Sequence, residues 1–345
     1  MAVREVLPEE YDDLDQKLEK ELPLSILGLV HFRLMRSRHL LREKMVLVDS
    51  WPDVSVLVIV DRQMRGTVPF AAGFCRGPDF ASTLDTLIQT ASKGLSPPVY
   101  FVGCSTDVID ALIGQYKSAN TCPFRKDHSN NFVYALPAEN IVPLAMPDGF
   151  RETELTERHL DAVIKAWPYS EEMDKIASVE KWFRYTISNF PTVCIETDDG
   201  RPVAWEMQQE YGGLGVLHVE PEYGRNKLGS IVSRTLAKKL TKEGQLVFAC
   251  VDESNVPSIA FHEKNGYVRS PILFTAFPIT AGLYSMQYDV ITAEPDALNN
   301  ELSCLHGSWF DLPRQSRRSS PLLDNSHTLE MTEEISRWVN AELME

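Results

Sequence analysis

Apolar positions along the chain follow two spacings, and they divide it into helices and strands. Leu14, Leu18 and Leu22 stand four apart, so residues 9–21 read as a helix with one buried stripe, limited by Pro23. Residues 46–48 and 54–60 are short β-rich runs separated by the turn-like segment Asp49-Ser50-Trp51-Pro52-Asp53. A helix is predicted over 83–95, a strand over 98–102, a helix over 107–117 and a strand over 130–136. Residues 1–145 thus form one α/β unit. The stretch 138–147, rich in Pro and Asn, marks its boundary.

A second α/β pattern follows. Helices are predicted over 156–166, where Thr156-Glu157-Arg158 opens a stripe of Leu160, Val163 and Ile164, and over 179–187. Strands at 192–196 and 202–207 are joined by Asp198-Asp199-Gly200-Arg201, a hairpin turn. A strand at 215–219 leads into a helix over 228–240, whose Leu228, Ile231, Val232, Leu236 and Leu240 share one face. A buried-type strand over 246–251 precedes a helix over 258–264, which Asn265-Gly266 stops. Strands at 267–277 and 283–288 complete the unit, giving it bounds of 146–290. Residues 291–345 read as an irregular tail with a basic cluster (Arg314, Arg317, Arg318) and a final helix over 328–343. Met331, Ile335, Trp338, Val339 and Leu343 give that helix an apolar stripe to dock on the body of the protein.

Composition narrows the function classes. The net charge of -15 argues against non-specific nucleic-acid binding, while leaving room for a local basic pocket. No apolar run reaches the roughly 18 to 20 residues that span a bilayer. The N-terminus lacks a basic start followed by an apolar core, and Glu5, Glu9, Glu10, Asp12 and Asp13 make it too acidic for a transit peptide. The expected compartment is the cytoplasm. Cys75, Cys104, Cys122, Cys194, Cys250 and Cys304 are scattered without a CxxC pair, which predicts reduced thiols and no metal site.

The chemistry concentrates where the strand 215–219 turns into the helix 228–240. The intervening loop carries Gly224, Arg225, Asn226 and Lys227, and Gly229 follows within the helix. A loop entering a helix offers free backbone N–H groups and the positive end of the helix dipole, a natural seat for a pyrophosphate. Further on, Asn255-Val256-Pro257-Ser258 leads into Phe261-His262-Glu263-Lys264-Asn265-Gly266-Tyr267. Together these blocks resemble the GNAT acyltransferase superfamily, whose members show a pattern like V-x-P-E-Y-R-G-K-G-L-G-S followed by N-x-x-S/A-x-x-L/F-Y-x-K-x-G-F/Y. Val219-Glu220-Pro221-Glu222-Tyr223-Gly224-Arg225-Asn226-Lys227-Leu228-Gly229-Ser230 matches the first block, and residues 255–267 match the second without a gap. Asp49-Ser50-Trp51-Pro52-Asp53 after Leu22-Pro23-Leu24-Ser25 narrows the resemblance to the glycine N-acyltransferase family. So do Phe190-Pro191-Thr192-Val193-Cys194 and Gly200-Arg201-Pro202-Val203-Ala204-Trp205-Glu206-Met207.

The resemblance implies two GNAT-like domains in tandem, each a mixed, largely antiparallel twisted sheet flanked by helices, the first of them degenerate. It implies acyl-CoA or acetyl-CoA as co-substrate and glycine or another small amine as acceptor. A peptide amine, or acyl-CoA binding without turnover, stands as the alternative. Mitochondrial residence is known among relatives of this family. The pantetheine arm would run along Leu217, His218 and Val219. The pyrophosphate would sit on Gly224, Arg225, Asn226, Lys227, Leu228, Gly229 and Ser230. Asn255, Ser258 and Phe261 would line the other side.

Two departures from the family pattern matter. Arg and Gly are permuted at Gly224-Arg225, and Lys227 stands where Gly is usual, so the turn is expected to be crowded. The Glu that serves the family as base falls on Gly213 when counted back from Pro221. Glu206, Glu210 and His218 lie nearby as substitutes. Alternation puts Glu206 opposite Trp205, at an exposed strand position if it is not catalytic. His218 is either a base or water relay, or a hydrogen-bonded interior histidine. His262 takes the place where many GNAT enzymes carry a thiolate-protonating Tyr, as a charged acid or as a solvated helix residue. Cys250 is expected to be a small buried residue.

Overall fold

In a computed structural model the protein is described over residues 3–62, 70–92, 99–117, 129–168, 170–174 and 178–279. The strand expected at 283–288, the tail over 291–327 and the helix at 328–343 lie outside the described residues, as do Cys122 and Cys304. The elements run β1 (Arg4–Glu5), α1 (Tyr11–Lys20), α2 (Ile26–Ser37), β2 (Lys44–Val48), β3 (Val56–Asp61), β4 (Phe70–Cys75), α3 (Ala81–Ser92), β5 (Val99–Ser105), α4 (Thr106–Lys117) and β6 (Ser129–Ala135). They continue as β7 (Phe150–Thr153), α5 (Leu160–Ala166), α6 (Ser170–Asp174), α7 (Val179–Asn189), β8 (Thr192–Thr197), β9 (Pro202–Gln208), β10 (Leu214–Val219), α8 (Leu228–Lys242), β11 (Phe248–Asp252), α9 (Val256–Lys264) and β12 (Val268–Ile279).

All the strands join one mixed, mostly antiparallel sheet of order β1-β2-β3-β4-β5-β12-β6-β11-β10-β9-β8-β7. Among the described strands, the parallel neighbours are β4 with β5 and β10 with β11. The element sequence of residues 4–135 is repeated over 150–279: one strand, helices, three antiparallel strands, a helix, a parallel strand, a helix and a last strand. The last strands are exchanged. β12 pairs with β5 of the first half, and β6 pairs with β11 of the second, so neither half's sheet is complete without the other. Each exchanged strand forms cross-sheet hydrogen bonds on both sides, which binds the halves through backbone as well as side chains.

Helices cover both faces, as the apolar patterning demands. In the first half α3 and α4 bury Leu84, Ile88, Val108 and Leu112 on one face, and α1 and α2 bury Leu14, Leu18 and Phe32 against Phe74 on the other. In the second half α8 packs Ile231, Val232 and Leu236 over Val193, Ile195 and Ala204. On the opposite face α5 and α7 set Val163, Trp182 and Phe183 against Trp205 and Met207, in a core that also takes in Ile26, Leu27 and Val30 of α2.

The turn between β9 and β10 pushes into the first half. Gly212, at φ +94°, sits where a Cβ would collide with Val30. His31 Nδ1 donates to the Glu210 carbonyl at 2.8 Å, and Phe70 stacks on Tyr211 at 5.6 Å. Lys44 is fully buried and ion-pairs with Asp61 at 2.6 Å and with Glu210. That pairing removes Glu210 from the candidates for a base.

Candidate functional site

The site forms where β10 leaves β11. The two strands register at Leu214↔Ala249, and beyond that pair they diverge. A bulge falls between Gly215 and His218, and Val216 takes φ 56°. Positive φ in a β-branched residue is a true outlier that costs of order 1–3 kcal/mol, a strain of the kind found where a backbone is shaped for a ligand. The wedge leaves residues 215–219 half-buried although β10 is an inner strand. The matching pair in the first half does not open. β4 and β5 stay in register from Phe70↔Tyr100 to Ala72↔Val102, and a Cβ on Gly103 would run into the Gly73 carbonyl.

The loop after β10 starts with a 3-10 turn, Pro221–Tyr223, and then exposes residues 224–227. Arg225 (φ 72°) and Lys227 (φ 61°) both adopt the left-handed conformation. Lys227 therefore forms the turn by taking the backbone geometry that glycine would supply, at a cost of about 1–2 kcal/mol, rather than by crowding it. Lys227 is the N-cap of α8, no side chain caps the helix, and no acidic residue stands in its first turn. The N–H groups of Leu228, Gly229 and Ser230 remain directed out of the helix with its positive dipole end behind them. Arg201 braces the loop from the β8–β9 turn, paired with Glu222 at 2.5 Å and lying 5.7 Å over the Tyr223 ring.

The far wall is the start of α9. Asn255 is its N-cap, and its Oδ1 accepts the Ser258 N–H at 3.0 Å. Asn255 Nδ2 is buried without a hydrogen-bond partner among the described residues. A Cβ on Gly229 would stand 3.3 Å from Val219 and 3.5 Å from Phe261, so this glycine lets α8, β10 and α9 converge on one narrow slot. The backbone of β10, the bare α8 terminus, the Asn255 amide and the Gly229 slot fit an elongated ligand that ends in phosphates. Leu217 and Val219 point to the α8 face and Ser258 is half-buried beside Asn255.

His218 lies on the other face. Its ring stacks on the buried Trp205 at 4.5 Å, and its enclosed Nε2 stands 3.7 Å from Glu220 Oε1, beyond hydrogen-bond distance, with no other partner among the described residues. Burial lowers the His218 pKa, with the Glu220 carboxylate pulling the other way, so the ring is neutral at pH 7. Glu206 is not the exposed strand residue expected: it is 1% exposed. It lies on the α8 side, where its charge acts on Tyr267, opposite Trp205 and away from His218. The reason is α8, which covers that face of β9.

His262 is likewise not solvated. It is buried, its Nδ1 donates to the Ser258 carbonyl at 2.8 Å, and its ring meets Tyr267 edge-on at 4.9 Å. Burial pushes its pKa down to about 4, so no imidazolium is present near neutrality to act as a charged acid. Cys250 is buried as expected, and burial pushes its thiol pKa far up. Glu220, absent from the sequence-based candidates, belongs beside His218. Its signal was available, since positions 218 and 220 share a strand face.

His159, Cys194 and Glu196 bring ligand atoms within 4.8 Å of one another. Glu196 is already held by Arg151 at 2.8 Å, by Arg158 and by His159 Nε2 at 2.8 Å, a clamp joining β7 to β8. Two guanidiniums on the same carboxylate oppose a further cation there. Among the described residues, no helix is long and apolar enough to cross a membrane.

The sequence and the fold are similar to those of known proteins. The family model described as FR47-like protein covers residues 194–271, from β8 into β12. Mouse glycine N-acyltransferase is 22% identical over 269 residues, spanning 70% of this chain and 87% of the mouse protein. Human glycine N-acyltransferase is 29% identical over 106 residues, 31% of this chain and 34% of the human one. A Drosophila protein of known structure superposes with a TM-score of 0.66 at 16% identity, over 81% of this chain and 98% of its own. A GCN5-related N-acetyltransferase from Sphaerobacter thermophilus does so with a TM-score of 0.50 at 16% identity, over 81% and 95%. The two structures speak for the fold, and the relatives for the lineage. In sequence the chain is similar to the glycine N-acyltransferases, and its segment 194–271 matches the FR47-like model.

Proposed function

We propose that this protein transfers an acyl group from an acyl-CoA thioester to the amine of glycine or another small amine by direct attack. The observation that carries the reading is the wedge between β10 and β11, with the uncapped α8 terminus on one side and, on the other, Asn255 Nδ2, which has no partner among the described residues. Residues 224–230 would hold the pyrophosphate, residues 217–219 the pantetheine arm, and Asn255, Ser258 and Phe261 its outer side. The thioester supplies a carbonyl carbon open to an amine nucleophile. Residues 1–145 and 146–290 act as two GNAT-like units that exchange β6 and β12, and the cofactor belongs to the second.

The acceptor reaches the carbonyl from the Trp205 face. His218 takes the amine proton there. Glu220 faces the enclosed Nε2, so it holds the proton on that nitrogen and leaves Nδ1 basic. Trp205 fixes the ring plane by stacking. This pair stands in for the carboxylate missing at Gly213. As the amine nitrogen bonds to the carbonyl carbon, the C–S bond breaks and the thiolate leaves.

A second reading, acyl-CoA binding without turnover, draws on that same glycine and on Glu206 facing away from His218. Calorimetry with acetyl-CoA, followed by thiol release with glycine, other amino acids, simple amines and a basic peptide, separates the two. Tight binding with thiol release from a small amine is expected. Binding without release from any amine supports the second reading, and no binding removes both.

A further inference from the structure

The first half carries a cavity of about 200 Å³ at the outer end of β4. We infer that it is a binding site for a small carboxylate with an apolar body, separate from the acyl-transfer site. Its floor is Leu18, Val54 and Phe74, and its rim carries Lys17, Lys20 and Arg76. At about 30 Å³ per water molecule the space holds roughly seven waters, which suits a ligand of some eight non-hydrogen atoms.

The position of the cavity gives it meaning. β4 and β10 are both six residues long, both run parallel to the next strand, and both turn into a helix. Phe74 is the fifth residue of β4 as His218 is the fifth of β10, and each faces the core built by the preceding helices. Arg76 corresponds to Glu220. The cavity is therefore the first half's counterpart of the acceptor site. Its proton acceptor is replaced by a ring, and its cofactor wedge is closed by Gly73 and Gly103. It keeps a place to bind and lacks the means to react.

Charge selects the ligand. Arg76 is spent on the protein: it pairs with Glu21 at 3.0 Å and Asp53 at 3.3 Å, and donates to the Val54 carbonyl at 2.8 Å. Arg76 offsets one of the two rim carboxylates, Glu21 and Asp53, and the charge of the second is left to the lysines. Lys17 has the exposed Asp13 at 3.5 Å, one turn away on α1, as its ion-pair partner. Lys20 forms no ion pair among the described residues. Such an exposed helical pair contributes only about 0.3–0.5 kcal/mol, so Lys17 exchanges partners readily. Lys17, which also lies 5.7 Å over the Trp51 ring, and Lys20 thus border an apolar floor, where the rim's cations outnumber its carboxylates although the chain as a whole is anionic. An anionic head with a short hydrocarbon body satisfies both.

The test is calorimetric titration of the full chain with hexanoate, and with hexanamide as its uncharged counterpart, in the wild type and in the Lys17→Met/Lys20→Met double variant. Both lysines lie on the surface of α1, and an unchanged thermal midpoint confirms that the variant is folded. Hexanoate is expected to bind the wild type and to lose about tenfold or more in affinity in the variant, since charged hydrogen bonds exceed neutral ones. Hexanamide should bind both proteins weakly and alike. Hexanoate binding that survives the double substitution lies elsewhere and overturns the inference, as does its absence in the wild type or equal binding of the amide. The readout is binding alone, so it stands or falls independently of acyl transfer.

Discussion

Asn255 offers a test in which stability and affinity move in opposite directions. Its two amide atoms have separate tasks: Oδ1 caps α9 through the Ser258 N–H at 3.0 Å, and Nδ2 is buried with no partner among the described residues. An unmet buried donor costs about 1–3 kcal/mol, which a ligand oxygen recovers on binding. Asn255→Ser keeps a capping oxygen, for which Ser and Asn are nearly equivalent, and deletes the unmet donor. The free serine variant should therefore be as stable as the wild type or slightly more so in urea unfolding. Its affinity for acetyl-CoA should fall by the 1–3 kcal/mol no longer recovered, about fivefold to a hundredfold at 1.4 kcal/mol per decade. Asn255→Ala loses the cap as well and should unfold with about 1 kcal/mol less stability than the serine variant. Calorimetric affinities within twofold for serine and asparagine would show that Nδ2 does not face the cofactor, and with that the outer wall of the site would be misplaced.

Three further outcomes follow from the same geometry. Gly229→Val should lower acetyl-CoA affinity at least tenfold in calorimetry, because its Cβ already stands 3.3 Å from Val219 and 3.5 Å from Phe261 and its branches fill the slot. The acid limb of kcat/KM should lie below pH 6.5, because burial lowers the His218 pKa; Glu220→Gln removes the charge that raises it and should move that limb to still lower pH, whereas Glu220→Asp should keep most of the wild-type profile. His262 contributes to acid sensitivity: its folded pKa of about 4 lies below the unfolded 6.5, so the unfolded chain binds the proton first and stability falls as pH drops from about 6.5 to about 4. At about 1.36 kcal/mol per pH unit that loss is of order 3 kcal/mol, and His262→Phe should flatten it in urea titrations while sparing activity at pH 7.5; an unchanged slope would mean that His262 is not the buried neutral group.

Local pattern revealed local structure and little more. The stripes of α1 and α8 were legible because each helix has a wet face, whereas α9 starts two residues before the expected 258, with Asn255 as its cap. α2 was not legible, since from Ile26 to Met35 all but Arg33 is buried and no polar face marks its period. β4 was missed as well, because Phe-Ala-Ala-Gly-Phe-Cys carries few of the β-branched residues that announce a strand, and its burial comes from helices on both faces. The exchange of β6 and β12 depends on pairings across more than a hundred residues, which no window of sequence contains. Glu206 shows the limit for single side chains. Alternation set it opposite Trp205 correctly, but whether that face is wet or dry is decided by α8, which packs over it.

The halves also show how few contacts separate a site from its inert counterpart. Both put a parallel pair of strands at the same place in the sheet, so the fold alone does not decide which of them opens. Gly73 and Gly103 let β4 and β5 approach until the backbones touch, and Phe74 puts a ring where the second half has its proton acceptor. The bulge at Val216 turns β10 away from β11, and His218 with Glu220 puts a proton acceptor on the corresponding face. The loops diverge in the same direction. Neither α3 nor α8 has an acid in its own first turn, but Asp79 stands two residues before α3, whereas Lys227 caps α8. The two stretches share no residue pattern that would have aligned them from sequence, so the comparison exists only through topology. It argues that replacing the zipped glycines alone would not make the first half bind a nucleotide. Asp79 would still stand ahead of α3 where Lys227 stands ahead of α8, and the second half would remain the place where wedge, dipole and base coincide.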